Sequence, residues 1–416
     1  MKNIGLIKVS SVYVLLFFLF YFEPMVLGGL KFSILWKVPL VAVLAIYFFL
    51  TVSKKLTIPI FVFFGLLLSF KYFFSLSSFQ YMSTTISEFT KFSVFLFLFL
   101  FLQQRYKKEI LIKMGKYLSI FIVLSFIPFM LGLLETHGRS IDISKFGDIT
   151  GSSLIGVFQN PHGAGITLAF ALLILFYYIM QTRSIKEQYF LICILFLGVT
   201  ELFLTMVRTP LAMFIFGSLY IMIKNFRVKH YLILLSLVVI AISYITYQYQ
   251  KSPLIQSMAT RMEGKNKYDS SGGVGSGRLK FQEVAINSWQ SEGPFGVIFG
   301  LGMELAKDKM YNATGMRLFA HNGFVEMLQS EGLIGFILFL LFLLFLFKYI
   351  QIYKNGKYYT LVVALYISYI VAIYFQGGHY FLLYVLFSIY LALLTKNENI
   401  NIHQKGSECD FRLKDV

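Results

Sequence analysis

Three residues stand out for chemistry they could share. His321 precedes Asn322 at the predicted start of a helix that leads into an apolar span. An imidazole there titrates near neutrality and can take a proton from a hydroxyl nucleophile; the bland alternative is an exposed loop histidine. Arg208 lies in the turn Met206-Val207-Arg208-Thr209-Pro210 between two apolar runs. A guanidinium fixed there offers a bidentate fork to a phosphate. It could instead snorkel, or pair with Glu201, which lies two turns earlier on the same face. Arg278 follows the stretch SSGGVGSG (270–277) and opens a predicted helix over 278–290. A cation at a helix N-terminus favours anions; the alternative is a solvated loop charge. Asn160, in the turn GVFQNPHGAG (156–165), is a candidate ligand for polar substrate groups, as is His162. A helix start is the competing reading of that turn. His379 reads as a plain loop residue, and His137, His230 and His403 carry no signal.

Other signals are missing. There is no phosphate-binding glycine loop of the nucleotide-binding kind, no Cys/His pair at metal-ligand spacing and no convincing Ser/His/Asp order. Neither metal nor cofactor is expected. The ionisable residues inside apolar runs are few: Glu88 with Lys91, Lys71, Glu201 and Glu23, most of them near run ends. Ion-coupled transport usually needs such groups at the midplane, so their scarcity counts against a transporter. Glu88 and Lys91, three residues apart, are expected to neutralise each other.

The elements that must position these residues follow from composition. The chain has 416 residues, 57% hydrophobic, 18% aromatic and only 14% charged. A soluble domain carries about 25% charge. A soluble enzyme, a disordered chain and a disulfide scaffold are thereby excluded, and a polytopic membrane protein remains. The expected fold is all-α, with about twelve transmembrane helices near 10–29, 34–52, 57–74, 86–102, 117–134, 162–180, 188–206, 209–223, 231–248, 332–350, 358–375 and 378–395. The run 209–223 is short and begins at Pro210. The first run reads as a retained span, not a cleaved signal. The two cysteines, Cys193 and Cys409, are not expected to pair.

The net charge of +17 concentrates in the connectors on the side of both termini. That is the pattern of cytoplasmic loops, not a nucleic-acid footprint. It predicts cytoplasmic termini and one long extracytoplasmic loop, 249–331, nearly neutral in charge. The expected organisation is a bundle over 1–248, the outer loop over 249–331, further spans over 332–395 and a cytoplasmic tail over 396–416. Within the loop, 278–290 reads as a short helix whose Phe281, Val284, Ala285 and Trp289 share a face suited to the membrane surface. Residues 321–331 read as a second short helix with Phe324, Val325 and Leu328 on one face, running into Gly332.

His321-Asn322, then nine residues, then Gly332-Leu333-Ile334-Gly335 opening a span resembles a pattern of the O-antigen ligase and polysaccharide polymerase superfamily. Arg208-Thr209-Pro210, Ser276-Gly277-Arg278 through Trp289, the Gly-rich turn from Gly293 to Gly302, and Asn160-Pro161 resemble further family features in the same order. The resemblance covers roughly residues 150–340. It implies transfer of a sugar chain from an undecaprenyl-pyrophosphate carrier at the outer face of a bacterial cytoplasmic membrane, without metal or nucleotide sugar. His321 would then act on the acceptor hydroxyl, and Arg208 and Arg278 would bind the pyrophosphate. Asn160, Asn322 and Trp289 would contact saccharide. The partners implied are the lipid-linked oligosaccharide and the bilayer, with a chain-length regulator and a flippase of the same pathway; no nucleic acid is expected. Family ligases continue Gly-x-x-Gly with Thr-Gly, where this chain has Phe336-Ile337. Phe22-Glu23-Pro24 and Trp36-Lys37 resemble exopolysaccharide polymerases. A polymerase of repeat units is therefore the expectation, with a ligase acting on a finished chain and a flippase of lipid-linked saccharide as alternatives.

Overall fold

Lipid offers backbone groups no partners, so long apolar runs must close their hydrogen bonds within helices. The computed structural model follows that rule. It describes residues 14–23, 25–27, 30–51, 58–138, 140, 152–225, 256, 278–315, 317–377 and 380–396. The predicted span 231–248, the glycine-rich stretch 270–277, His379 and the tail after 396 lie outside these residues.

Residues 14–21 are helical, and a two-residue antiparallel ladder pairs Val26–Leu27 with Leu30–Lys31. The helices that follow are α1 (Phe32–Thr51), α2 (Ile60–Lys71), α3 (Met82–Arg105), α4 (Lys108–Leu124), α5 (Pro161–Gln181), α6 (Ile185–Leu204) and α7 (Arg208–Asn225). After them come α8 (Arg278–Gln290), α9 (Pro294–Phe299), α10 (Met303–Thr314), α11 (Gly323–Ile352), α12 (Tyr359–Phe375) and α13 (Phe381–Thr395). Among the described residues, six helices are long and apolar enough to cross a membrane, and three more are apolar but shorter. The short run at 209–223 does form a helix, α7, yet is not among those six. A multi-pass membrane protein is the consequence.

Helix α5 sits at the centre, buried along almost its whole length. Its Gly165 lets α7 approach so closely that a Cβ there would lie 2.6 Å from the Pro210 ring. Aromatic packing joins the remaining layers: Phe92 of α3 meets Phe342 of α11 at 4.9 Å, and Phe95 meets Phe387 of α13 at 5.5 Å. Buried hydroxyls cross between helices. Ser368 donates to the Met213 carbonyl at 2.9 Å and Ser388 to the Phe95 carbonyl at 3.0 Å. Each such bond contributes about 0.6–2 kcal/mol in an apolar medium.

These contacts fix directions. Phe64 stacks on Phe345 while Lys71 meets Glu331, so α2 and α11 run antiparallel. One end of the bundle therefore gathers the connectors after α3, α5, α11 and α13, with Arg105, Lys108, Arg183, Lys354 and Lys396. The opposite end gathers the starts of α5, α7, α11 and α13 and the ends of α2, α6 and α12. The short helices α8, α9 and α10 pack there against α11. One sequence expectation is corrected at this end. The apolar face of α8 does not lie bare for a bilayer: Ala285 is fully buried with Met310 and Ala320, flanked by Phe281, Val284 and Val325. Residues 323–331 are helical, with Phe324 packed on the main core and Val325 on the Ala285 cluster, and Glu326, Met327, Gln329 and Ser330 are buried beside them.

Candidate functional site

The end opposite the cations is organised around a break in α11. Gly332 has φ 68° and ψ −171°, which frees the carbonyls of the preceding turn. The extended segment Gly300-Leu301-Gly302 fills the notch: Leu301 N donates to Gln329 O at 3.1 Å and Gly302 N to Ser330 O at 2.7 Å. Its other edge is bound by Leu76 N, which donates to Gly300 O at 3.0 Å, and by Ser77 N, which donates to Leu301 O at 3.1 Å. A Cβ on Gly332 would come within 2.4 Å of the Gly300 nitrogen, so glycine is required for both conformation and approach. Lys71, at the end of α2, donates to the Phe299 carbonyl at 2.7 Å and meets Glu331 at 3.5 Å, and both charged side chains are buried. The positive-φ Gly332 thus builds a clamp that ties α9, α2 and α11 together.

His321 hangs on this clamp. Its φ is +54°, a left-handed conformation that costs a non-glycine residue about 1–3 kcal/mol. The surroundings impose it. The His321 backbone N–H donates to Glu326 Oε1 at 3.1 Å. Asn322 caps α11, its Oδ1 accepting from Phe324 N at 3.0 Å and Val325 N at 3.4 Å. The Glu326 carboxyl lies over Gly377, where an added Cβ would approach Oε2 to 2.2 Å. The imidazole Nδ1 is 3.4 Å from Gln376 Nε2, at the end of α12. The ring stands between Phe281 of α8, 6.3 Å away, and His162 of α5, 6.4 Å away.

The start of α5 supplies the facing wall. Asn160 caps this helix, accepting from Gly163 N at 2.8 Å, and Pro161 sets its first turn. Both asparagines, 160 and 322, therefore use their side-chain oxygens on helix caps. Arg208 is the first residue of α7 and is half-buried. Pro210 lies on Gly165, three residues after His162, so the starts of α5 and α7 lie side by side at this end. Ser368 bonding Met213 brings the Gln376 end of α12 to the same level. Arg208 makes no hydrogen bond to Glu201, whose buried carboxyl oxygens have no partner among the described residues. Arg278 begins α8 one turn before Phe281, though its side chain is outside the described part. Trp289 is farther along α8, and its indole N–H donates to the Val297 carbonyl at 3.0 Å, fastening α8 to α9.

A cavity opens where the end of α6 meets the segment 152–154. About 260 Å³ in volume, it is lined by Thr136, Ser152, Ser153, Leu154, Leu204 and Met206 together with Phe129 and Met130. Next to Glu326 the free volume is only about 20 Å³. Among the described residues no three His, Cys, Asp or Glu side chains are grouped to hold a metal ion. Sequence reasoning missed Glu326 and Gln376 as neighbours of His321, and it did not connect His162 with it. Only helix register and long-range packing bring those three to the ring.

Residues 191–340 match the family model described as O-antigen ligase, which supports placing this segment in the O-antigen ligase and polysaccharide polymerase superfamily. The matched segment contains Arg208, Arg278, Trp289, His321, Asn322 and the break at Gly332; Asn160, His162 and Gln376 lie outside it. No curated protein matches the chain.

Proposed function

We propose, on the premise of the O-antigen ligase match over residues 191–340, that this protein is a membrane glycosyltransferase that polymerises saccharide repeat units carried on undecaprenyl pyrophosphate. The observation that carries the reading is one gathering of groups. His321 lies against His162, Gln376 and Glu326 at the end of the bundle away from the cations, and Arg208 and Arg278 each begin a helix at that end. That end faces outward if the basic end is cytoplasmic, as cation-rich connectors are.

In this reading the donor pyrophosphate binds to Arg208 and Arg278, each at a helix N-terminus whose free N–H groups also favour anions. The acceptor hydroxyl loses its proton to His321 Nε2 as its oxygen attacks the anomeric carbon. The bond from that carbon to the phosphate oxygen breaks, and its electron pair leaves on the carrier pyrophosphate. Charge growing on the leaving oxygen is stabilised by the two guanidinium groups already in place. Single displacement inverts the anomeric carbon. The 260 Å³ cavity beside Met206, with three hydroxyl side chains, suits a sugar residue of the donor or growing chain.

The test is replacement of His321, Arg208 and Arg278 by Ala, one at a time, in cells that lack the native copy. With protein abundance matched, each variant is expected to leave surface polysaccharide short. If all three make full-length polymer, the site assignment is wrong. A ligase that joins finished chains to a terminal acceptor fits the family match equally well. Deletion of the gene separates the two. Loss of a polymerase leaves single repeat units on carrier or surface, and loss of a ligase leaves long chains on the lipid carrier.

A further inference from the structure

The turn after α2 is built inside out. Its serines are buried: Ser77 Oγ donates to the Leu301 carbonyl at 2.7 Å and Ser78 Oγ to the Phe73 carbonyl at 2.8 Å. Its large apolar side chains point away from the protein, with Phe74 and Leu76 exposed and Phe79 exposed by 76%. A turn in water shows the reverse, hydroxyls out and rings in. Helix α9, six residues long and too short to span a membrane, repeats the pattern beside it. Gly296 is buried against the turn, where an added Cβ would lie 3.2 Å from Leu76. Phe295 and Ile298, one helical turn apart, are exposed, Phe295 by 54%. Neither 72–81 nor 293–303 contains a single Asp, Glu, Lys or Arg. The next helix does the opposite. On α10, Glu304 and Asp308 bind the exposed Arg317 at 3.0 and 2.8 Å, and Lys307 and Lys309 lie between and beside them.

The patch continues an apolar surface that lipid already covers. Along α2 it runs on through Phe70, Leu67 and Phe63, and along α11, past the break, through Leu333, Ile334 and Ile337, all exposed. An added Cβ on Gly332 would lie 2.5 Å from the Ile298 carbonyl oxygen, so α9 stands directly at the top of the α11 strip. Contiguous exposed apolar surface of this kind marks an interaction site. We propose that α9 and the turn after α2 form an interfacial membrane anchor: Phe74, Phe79, Phe295 and Ile298 lie at the boundary of headgroups and acyl chains in the leaflet at this end, while α10 stands in water. Short apolar faces bind in this way about 5–10 Å deep, parallel to the membrane plane. The anchor has a mechanical effect. Gly300-Leu301-Gly302, which fills the notch in α11, is the direct continuation of α9. The clamp on which His321 hangs is thereby held at headgroup level, where the phosphates of a lipid-linked substrate lie. The inference rests on the continuity of the apolar surface and is independent of the chemistry assigned to His321.

The test needs no substrate. Full-length protein carrying Cys193→Ser and Cys409→Ser receives one new cysteine at a time: Phe79→Cys, Phe295→Cys, Ile298→Cys, Ile337→Cys or Tyr311→Cys. All five positions are exposed, so a nitroxide label there displaces no core contact. Each labelled protein is placed in vesicles of phosphatidylethanolamine and phosphatidylglycerol. Electron paramagnetic resonance then compares collisions with oxygen, which concentrates in lipid, and with a nickel chelate, which stays in water. Labels at 79, 295 and 298 are expected to favour oxygen, as the α11 label at 337 does, but less strongly because they lie nearer the headgroups. The label at 311 on α10 is expected to favour nickel. A label at 79, 295 or 298 that meets nickel as freely as the one at 311 puts the patch in water and overturns the inference. A label there that neither reagent reaches overturns it too, because protein, such as a second copy of the chain, then covers the patch.

Discussion

The two ends of this bundle handle charge in opposite ways. At the basic end, cations sit in connectors, exposed or in half-exposed pairs such as Lys116 with Glu187. Such charges cost little and contribute little to stability. At the other end Lys71, Glu326, Gln329, Glu331 and Gln376 are buried, and each is tied to backbone or to a neighbouring helix. Buried polar groups are expensive in an apolar setting unless fully partnered. A chain that keeps its cheap charges at one end and its costly ones at the other marks the second end as the one where shape has to be exact.

The sharpest way to break this contrast is at Lys71. Lys71→Met leaves Glu331 buried beside no cation and is expected to lower the stability of the purified protein by about 3–5 kcal/mol, read as a fall in its thermal unfolding midpoint. Lys71→Met combined with Glu331→Leu should recover most of that loss. Next comes Gly332→Ala, which puts a Cβ on the Gly300 nitrogen in a left-handed conformation. Conformational strain alone is about 1–3 kcal/mol, and the displaced Gly300–Gly302 segment should carry polymer formation down with it. Third is Asn322→Ala, which removes the cap of α11 and is expected to cost about 1 kcal/mol in the same unfolding assay. Smallest is Lys354→Ala at the basic end. It should stay within about 0.5 kcal/mol of the wild type and leave polymer length unchanged. A Lys354 variant as damaging as the Lys71 variant would erase the distinction between the ends.

Much of this was readable from the amino-acid sequence because it depends on local pattern. Long apolar runs became helices, residues 278–290 formed the expected helix, and Glu88 pairs with Lys91 at 2.6 Å. His321-Asn322 and Gly332 carried their own meaning, since caps and positive-φ glycines are local devices. The site's support was not readable, because its partners are far apart in the chain. Lys71 and Glu331 are 260 residues apart, and Gln376 reaches His321 across 55. Helix α9 was hidden in what reads as a glycine-rich turn, and α10 in the unassigned stretch after it. The stripe on α8 was correctly periodic but packs on Met310 and Ala320 rather than on lipid, because periodicity names a buried face and not what buries it.

The central claim is that His321 acts in the making of a glycosidic bond. Purified full-length protein in vesicles, supplied with a lipid-linked oligosaccharide repeat unit and no other enzyme, tests it by the length of the saccharide on the carrier. The wild type should lengthen the chain, and His321→Ala should be slower by about 10²–10⁴-fold, the usual contribution of a positioned base. Equal rates, or transfer of the lipid-linked saccharide across the vesicle membrane with no new glycosidic bond, would contradict the account.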